Sequence, residues 1–324
     1  MDISIIIVNY NSLEFIKGCL ESIKRLTGSN RGKKNKSSYE ILVVDNKSGD
    51  GSIEYLKEQA KVNGILHFIP NKKNMGFSRA SNIGALKAKG KYLLFLNPDT
   101  KFLEGDLKSL IGFYNKKNED SRVGVVGAKI VNPDGTLQLS SRSFPTLSRQ
   151  FYESYFLYRI FKKNRVFGSY FMSWWDHKSE REVDWLAGSF MFIKKDIFME
   201  AGMFDENYFM YSEDSDLCLR LHRKGFKNYY FPYFIIEHID KAVASRNMAV
   251  REAGIWTSRR LYFKKNYSRV HAVLLSLIYL AGVINRILLF IILCVFNPVK
   301  VNRARLFMYF KVLKLYFRGQ GYGS

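Results

Sequence analysis

Four apolar runs punctuate the first hundred residues, and each ends in polar residues. Ile3-Ser4-Ile5-Ile6-Ile7-Val8 leads into Asn9-Tyr10-Asn11, Tyr39 to Val44 into Asp45-Asn46, Ile65 to Ile69 into Asn71, and Tyr92 to Leu96 into Asn97-Pro98-Asp99. Short runs rich in β-branched and aromatic residues read as buried strands. Between them, apolar positions recur every three or four residues. This happens from Leu13 to about Leu26 with Ser12 as N-cap, again after Gly49-Asp50-Gly51, and from Ser78 to Ala88. That spacing predicts helices. Strands alternating with helices imply right-handed βαβ units and a mostly parallel sheet flanked by helices. The polar strand ends then share one rim, which is where ligands of α/β sheets bind.

The turn after the fourth strand carries the first candidate chemistry. A Pro-fixed turn delivers the Asp99 carboxylate to the rim just after Asn97. Such an acid suits a hard divalent cation bound to a diphosphate; a carboxylate capping the next helix is the plainer reading.

The company of this turn makes it informative. In order along the chain stand Val8-Asn9-Tyr10-Asn11, Val43-Val44-Asp45-Asn46, Asn74-Met75-Gly76-Phe77 with Asn82, and Leu96-Asn97-Pro98-Asp99. Then follow Trp185-Leu186-Ala187-Gly188-Ser189, Gly202-Met203-Phe204-Asp205-Glu206 and Tyr211-Ser212-Glu213-Asp214-Ser215-Asp216-Leu217. As an ordered set, over roughly residues 2–240, they resemble glycosyltransferase family 2, whose members use a nucleotide-sugar-binding GT-A fold. The Asn-Pro-Asp form of the metal motif and the segment Val131-Asn132-Pro133-Asp134-Gly135-Thr136 look most like bacterial rhamnosyltransferase-type members.

Sugar transfer from a nucleotide diphosphate needs a base pocket, neutralisation of the leaving diphosphate and a general base for the acceptor hydroxyl. Tyr10 offers a ring for stacking, or ordinary packing under the first helix. Asp45 offers a carboxylate for a pyrimidine imide N–H, or a helix cap. The resemblance implies the nucleobase role for both, together with backbone at Val8. Gly76 permits close backbone approach to the diphosphate, and Asn82 lies on the helix that follows. Asp99 is the candidate ligand for Mg2+ or Mn2+. Asn97 stands where many relatives carry a first Asp, so the nucleotide would supply part of the ion's affinity.

Glu213, Asp214 and Asp216 open a helix running to about Lys224. Asp214 shares a face with Leu217, Cys218 and Leu221, so it should point inward, with Asp216 turned away from it. Partial burial and like charge from Glu213 would raise its pKa, as suits a base. Asp214 is the expected base and Glu213 the second choice. His238 closes a probable strand and is read as either a structural residue or, as the resemblance implies, a metal ligand. Trp185 and Gly188 precede the strand Ser189–Ile193, a segment that relatives use to shape the sugar and acceptor site; a core Trp is the alternative.

Composition sets the rest. A chain of 324 residues suits a domain over 1–240 and a helical, basic, apolar region over 241–324. Cys19, Cys218 and Cys294 form no motif, which suits a reducing compartment. The apolar run begins at once without a basic leader, arguing against a signal peptide. Residues 28–38 form a basic polar insertion that reads as solvated.

The net charge is +22, and from Ala253 to Ser324 there are 12 Lys/Arg and no Asp or Glu. Within that stretch lies Ala272 to Phe296, apolar apart from Asn285-Arg286 and scattered Ser276 and Tyr279. A central Arg is costly in lipid, and basic flanks on both sides favour one, cytoplasmic, face. The expectation is therefore a monotopic pair of interfacial helices broken near Asn285. A basic amphipathic run from Arg305 to Arg318 would bind an anionic membrane surface. A helical homodimer interface is the structural alternative. No nucleic-acid motif accompanies the charge, so nucleic acid is excluded as partner.

Together these features point to an inverting, metal-dependent glycosyltransferase, peripheral or monotopic at the cytoplasmic face of the membrane. It is expected to move L-rhamnose from dTDP-rhamnose to a lipid-linked saccharide. The alternatives are a UDP-hexose or UDP-N-acetylhexosamine donor, or a non-catalytic membrane assembly partner.

Overall fold

The computed structural model describes residues 1–28, 38–239, 248–296 and 299–318. The strands are β1 (Ile3–Asn9), β2 (Tyr39–Asp45), β3 (Leu66–Pro70), β4 (Tyr92–Leu96), β5 (Thr100–Glu104), β6 (Val123–Val131), β7 (Leu137–Gln138), β8 (Ser141–Arg142), β9 (Arg181–Val183), β10 (Trp185–Leu186), β11 (Phe190–Lys194) and β12 (Lys227–His238). The helices are α1 (Leu13–Gly28), α2 (Ser52–Val62), α3 (Gly76–Lys87), α4 (Leu107–Asp120), α5 (Leu147–Ser154), α6 (Leu157–Ile160), α7 (Lys195–Glu200), α8 (Glu213–Arg223), α9 (Met248–Asn266), α10 (Arg269–Phe296) and α11 (Lys300–Phe317).

The predicted βαβ units form as expected. Strands β3, β2, β1 and β4 are consecutive parallel neighbours, with Asn9 beside Asp45 and Ile7 beside Leu96. Every residue of β1 and β4 is buried, as befits strands covered on both faces. Ser12 does not cap α1 with its hydroxyl, which donates to Asn9 Oδ1; Asp50 Oδ2 instead accepts the Leu13 N–H at 2.8 Å. Beyond β4 the sheet continues as β11-β6-β12-β5, with β11 antiparallel to β4 and β12 antiparallel to β5. This return makes the fold mixed, and it brings distant segments to the rim.

Two compact units are present, and they do not divide at residue 240. The first holds residues 1–142, 176–207 and 213–243; the second holds 143–175, 208–212 and 244–324. The reason lies in the second unit's polar core. Arg259 donates to Gln150 Oε1 (2.7 Å), Glu153 Oε2 (2.6 Å) and Tyr170 Oη (2.9 Å), tying α9 to α5 and the segment after it. Arg259 is therefore an inward residue and no membrane-facing cation. The basic insertion lies, from 29 to 37, outside the described residues, as does the expected boundary at 240.

The expected break near Asn285 does not occur: α10 is continuous from Arg269 to Phe296. Arg286 is accommodated without a break because it faces protein. Its guanidinium donates to Ser154 O at 3.2 Å and stands over the rings of Phe156 (4.7 Å) and Tyr309 (5.6 Å). Ala272, Leu275, Ser276, Gly282, Val283, Ile287 and Phe290 share this buried face. The opposite face carries Val270, Val273, Leu277, Ile284, Leu288, Ile291 and Val295, all exposed. Both faces of α10 are thus apolar, and one is open.

Replacing Arg286 with Met should cost about 1–3 kcal/mol, because the Ser154 carbonyl would stay buried without its donor. A thermal melt of the full chain checks this; an unchanged or raised Tm would mean that the guanidinium contributes nothing inside the unit.

Candidate active site

The rim is assembled by strand pairing. After β4, the chain turns at Asn97-Pro98-Asp99 and enters β5, with Thr100 Oγ1 donating to Asn97 O at 2.7 Å. Antiparallel β12 sets His238 opposite Thr100, and the Ile239 N–H donates to Asp99 O at 3.1 Å. His238 Nε2 consequently lies 3.3 Å from Asp99 Oδ1 and 3.4 Å from Asn97 Nδ2. Both the imidazole and the carboxylate are nearly covered, at 9% and 12% exposure.

A carboxylate oxygen and an imidazole nitrogen at this separation fit two ligands on one divalent ion, and the mixed O/N pair suits Mn2+ well. Among the described residues no cluster of three acidic, His or Cys side chains forms a metal cage.

The second half of the rim is α8. Asp214 Oδ2 accepts the Gly188 N–H at 2.9 Å, and Oδ1 accepts the Ser215 N–H at 2.7 Å. The next residue, Ser189, accepts the Asn97 N–H through its carbonyl at 3.2 Å. Two successive residues, Gly188 and Ser189, therefore join the Asp214 helix to the Asn97 turn. Desolvation raises the Asp214 pKa, while hydrogen bonds from Gly188 and Ser215 and the charge of Arg142 oppose the rise.

Glu213 is more deeply covered, at 5% exposure, and its Oε2 has no hydrogen-bond partner among the described residues. Burial, then the charge of Asp214, pushes its pKa well above the carboxylate range. Of the two neighbouring acids, Glu213 is the more enclosed and Asp214 the better supplied with N–H donors. Asp216, expected on the solvated side, is also buried; it pairs with Arg220 at 2.8 Å, and Arg220 donates onward to the carbonyls of Ala201 and Met203.

The donor-side residues divide. Tyr10 is 37% exposed at the end of β1, with its ring available for stacking, and Val8 lies beneath it in the sheet. Gly76 has φ +79°, a conformation only glycine adopts without strain.

Three of the expected residues are enclosed. Asp45 is fully buried, and its carboxylate accepts from Asn9 Nδ2 (2.8 Å), Ser48 Oγ (2.6 Å) and the Ser48 N–H (2.8 Å), which braces the loops after β1 and β2. Asn82 is buried and exchanges hydrogen bonds with the backbone of Phe204, which anchors α3. Trp185 is 5% exposed, with the Arg142 guanidinium over its ring at 5.0 Å. Arg142 itself escaped the sequence reading, because a lone Arg among serines carries no periodic signal; only the β8–β10 pairing brings it near Asp214.

Comparison with known proteins identifies the family. The sequence model of Glycosyl transferase family 2 matches residues 4–183. Rhamnosyltransferase WbbL of Escherichia coli is 32% identical over 72% of this chain and 82% of its own length. N-acetylglucosaminyl-diphospho-decaprenol L-rhamnosyltransferase of Mycobacterium tuberculosis is 28% identical over 70% of this chain and 75% of its own. Among solved structures, a mannosyltransferase of Pyrobaculum calidifontis in complex with GDP-Man and Mn2+ shares the fold, with a TM-score of 0.57 at 13% identity, covering 98% of this chain and 87% of that one.

The buried Glu213 generates a stability prediction with a definite sign. Its folded-state pKa is raised, so between the ordinary carboxylate value and that raised value the native state binds more protons than the unfolded chain. Stability then falls as pH rises through this window. Glu213→Gln should remove that slope, raising Tm at neutral pH and gaining nothing near pH 4, as followed by melts across pH. Parallel curves for variant and parent would show that Glu213 ionises freely in the fold.

Proposed function

The chain belongs to glycosyltransferase family 2 and is a glycosyltransferase, and from that premise we propose an inverting, metal-dependent L-rhamnosyltransferase. It moves rhamnose from dTDP-rhamnose to a hydroxyl of a lipid-linked saccharide at the cytoplasmic face of the membrane. The observation that carries the reading is the Gly188–Ser189 link, which fixes one ionisable carboxylate, Asp214, against the Asn97-Pro98-Asp99 turn. A single base beside a diphosphate site fits direct displacement at C1. Glu213, enclosed at 5% exposure, is poorly placed to reach a sugar carbon, which fits direct displacement without a covalent sugar–enzyme step.

Each residue has a definite task. Asp214 takes the proton of the acceptor hydroxyl as it attacks, and its raised pKa brings its basicity toward the working pH. Gly188 holds that carboxylate in place through its N–H. Tyr10 stacks on the nucleobase. The Gly76 backbone leaves room for the diphosphate, and Asn97 orients it beside Asp99. Asp99 and His238 would hold Mg2+ or Mn2+, which would supply charge neutralisation for the departing nucleotide. Inversion at a β-linked donor yields an α-L-rhamnoside. Thymine and uracil present the same imide edge, so UDP-sugar donors are the competing class.

The second unit supports the membrane part of the reading. α10 is long and apolar enough to cross a membrane, and its inner face is covered by protein, which suits a helix lying along the interface. Its outer face is an exposed apolar stripe. On α11, the exposed Phe307, Phe310 and Phe317 alternate with the exposed Lys300, Arg303, Lys311, Lys314 and Arg318. Aromatic residues interleaved with cations fit the interface of an anionic bilayer.

Two outcomes are expected. Asp214→Asn should lower kcat by roughly 10²–10⁴-fold with donor binding retained, and in the parent enzyme activity should rise with pH through the elevated Asp214 pKa. Across a panel of nucleotide sugars with Mn2+, dTDP-rhamnose should raise Tm most, as binding stabilises by RT ln(1 + [L]/Kd); a larger shift from a UDP-hexose would overturn the donor assignment.

For the membrane, replacing Phe307, Phe310 and Phe317 together with Ser should release the protein from vesicles containing anionic lipid. Undiminished co-sedimentation, or a stable dimer in detergent-free solution that buries α10, would reject the interfacial role.

A further inference from the structure

The hairpin Asn132-Pro133-Asp134-Gly135-Thr136 takes no part in the chemistry above, yet it ends at the metal-binding end of the rim. It closes with the Gly135 N–H donating to Asn132 O (2.9 Å) and the Asn132 N–H donating to Thr136 O (2.8 Å), and Gly135 sits at φ +79°. The turn sends the chain back along β6, so that Gln138 pairs with Ile130 while β12 runs on the other edge of β6 with Glu237 beside Val131. Gln138 reaches round the end of β6 to His238. Its Oε1 lies 2.7 Å from His238 Nδ1, and its Nε2 lies 3.0 Å from Asn132 Oδ1 and 3.5 Å from His238 O.

The direction of every hydrogen bond in this chain follows from its far end. Asp134 Oδ1 is acceptor-only when ionised, so Thr136 Oγ1 donates to it at 2.5 Å. Thr136 Oγ1 then accepts from Asn132 Nδ2 at 2.9 Å, which turns Asn132 Oδ1 toward Gln138. That oxygen requires the Gln138 amide NH2, and the backbone carbonyl of His238 requires the same group. Gln138 Oε1 must therefore face His238 Nδ1, and an oxygen there requires an N–H on Nδ1. In a neutral imidazole the remaining nitrogen, Nε2, carries the lone pair. Nε2 is the atom that faces Asp99 Oδ1 at 3.3 Å, with Asn97 Nδ2 nearby. A lone pair set against a carboxylate oxygen leaves room for a cation, a proton or a metal ion, between them.

We infer that Gln138 is a positioning residue: through the Asp134–Thr136–Asn132 relay it holds His238 as the Nδ1–H tautomer, with Nε2 presented to the metal beside Asp99. The inference rests on the reading of Asp99 and His238 as the metal ligands. It gives the β6–β7 hairpin a task in ion affinity and none in contact with sugar. Outer partners of this kind fix the ring of a ligating His, and their loss weakens metal affinity 10–100-fold.

The test uses the full chain, with Mn2+ binding followed by electron paramagnetic resonance in saturating dTDP, and the His238 tautomer read from ring 15N shifts in the metal-free protein. Gln138→Leu should weaken Mn2+ binding by roughly 10–100-fold and shift His238 toward the Nε2–H form. Gln138→Glu keeps an acceptor facing Nδ1 and should retain both affinity and tautomer. Unchanged Mn2+ affinity in Gln138→Leu, with binding lost in His238→Ala, would overturn the role of Gln138 alone. Mn2+ affinity preserved in His238→Ala would instead remove the metal reading, and this inference with it. Were Gln138→Leu to misfold, the parent protein decides: a His238 whose Nδ1 carries no proton overturns the proposal.

Discussion

The antiparallel addition of β11 to β4 is the constraint on which the site depends. Phe190 pairs with Leu96, and that register alone puts Ser189 against the Asn97 turn and Gly188 against Asp214. A slip of one residue would reverse which side chains of β11 face the core. Phe190, Met191, Phe192 and Ile193 are all buried, so the whole strand resists such a slip. The hydrophobic core thereby fixes the distance between α8 and the Asn97 turn.

Around that link the acids are sorted by environment. Asp45 is fully covered but supplied with donors on both oxygens. Asp99 faces an imidazole. Glu213 is covered without a donor for Oε2, whereas Asp214, one residue on, has two backbone N–H donors and partial solvent contact. Neighbouring Glu213 and Asp214 thus differ in burial and donor count, two of the influences on a carboxylate's pKa. Enclosing Glu213 costs stability at neutral pH, a cost typical of functional sites where an acid must be kept from ionising.

The large positive charge is similarly divided. Arg259 and Arg286 are spent inside the second unit, on Glu153 and on the Ser154 carbonyl. The cations of α11 remain outside among phenylalanines. A count of basic residues therefore overstates the membrane-facing charge, since two of the arginines that flank or interrupt the apolar helix hold it to its own protein. The same burial explains why α10 runs unbroken through Asn285-Arg286: the arginine has partners, and the exposed face needs no kink to avoid it.

The pattern of apolar and polar positions by itself determined the βαβ order, the ends of β1, β2 and β4, and the helix that begins with Glu213 and Asp214, because periodicity is a local property. It also located the rim, since parallel strands deliver their ends to one side. It gave no sign that Asp45, Asn82 and Trp185 are enclosed by Ser48, Phe204 and Arg142. Whether a rim residue faces ligand or protein is set by neighbours distant in sequence. For the same reason no spacing could announce that Gln138 meets His238, or that His238 meets Asp99. Those contacts exist only because β6, β12 and β5 lie side by side, and strand pairing at long range is decided by the burial of the whole sheet and not by the residues it happens to bring together.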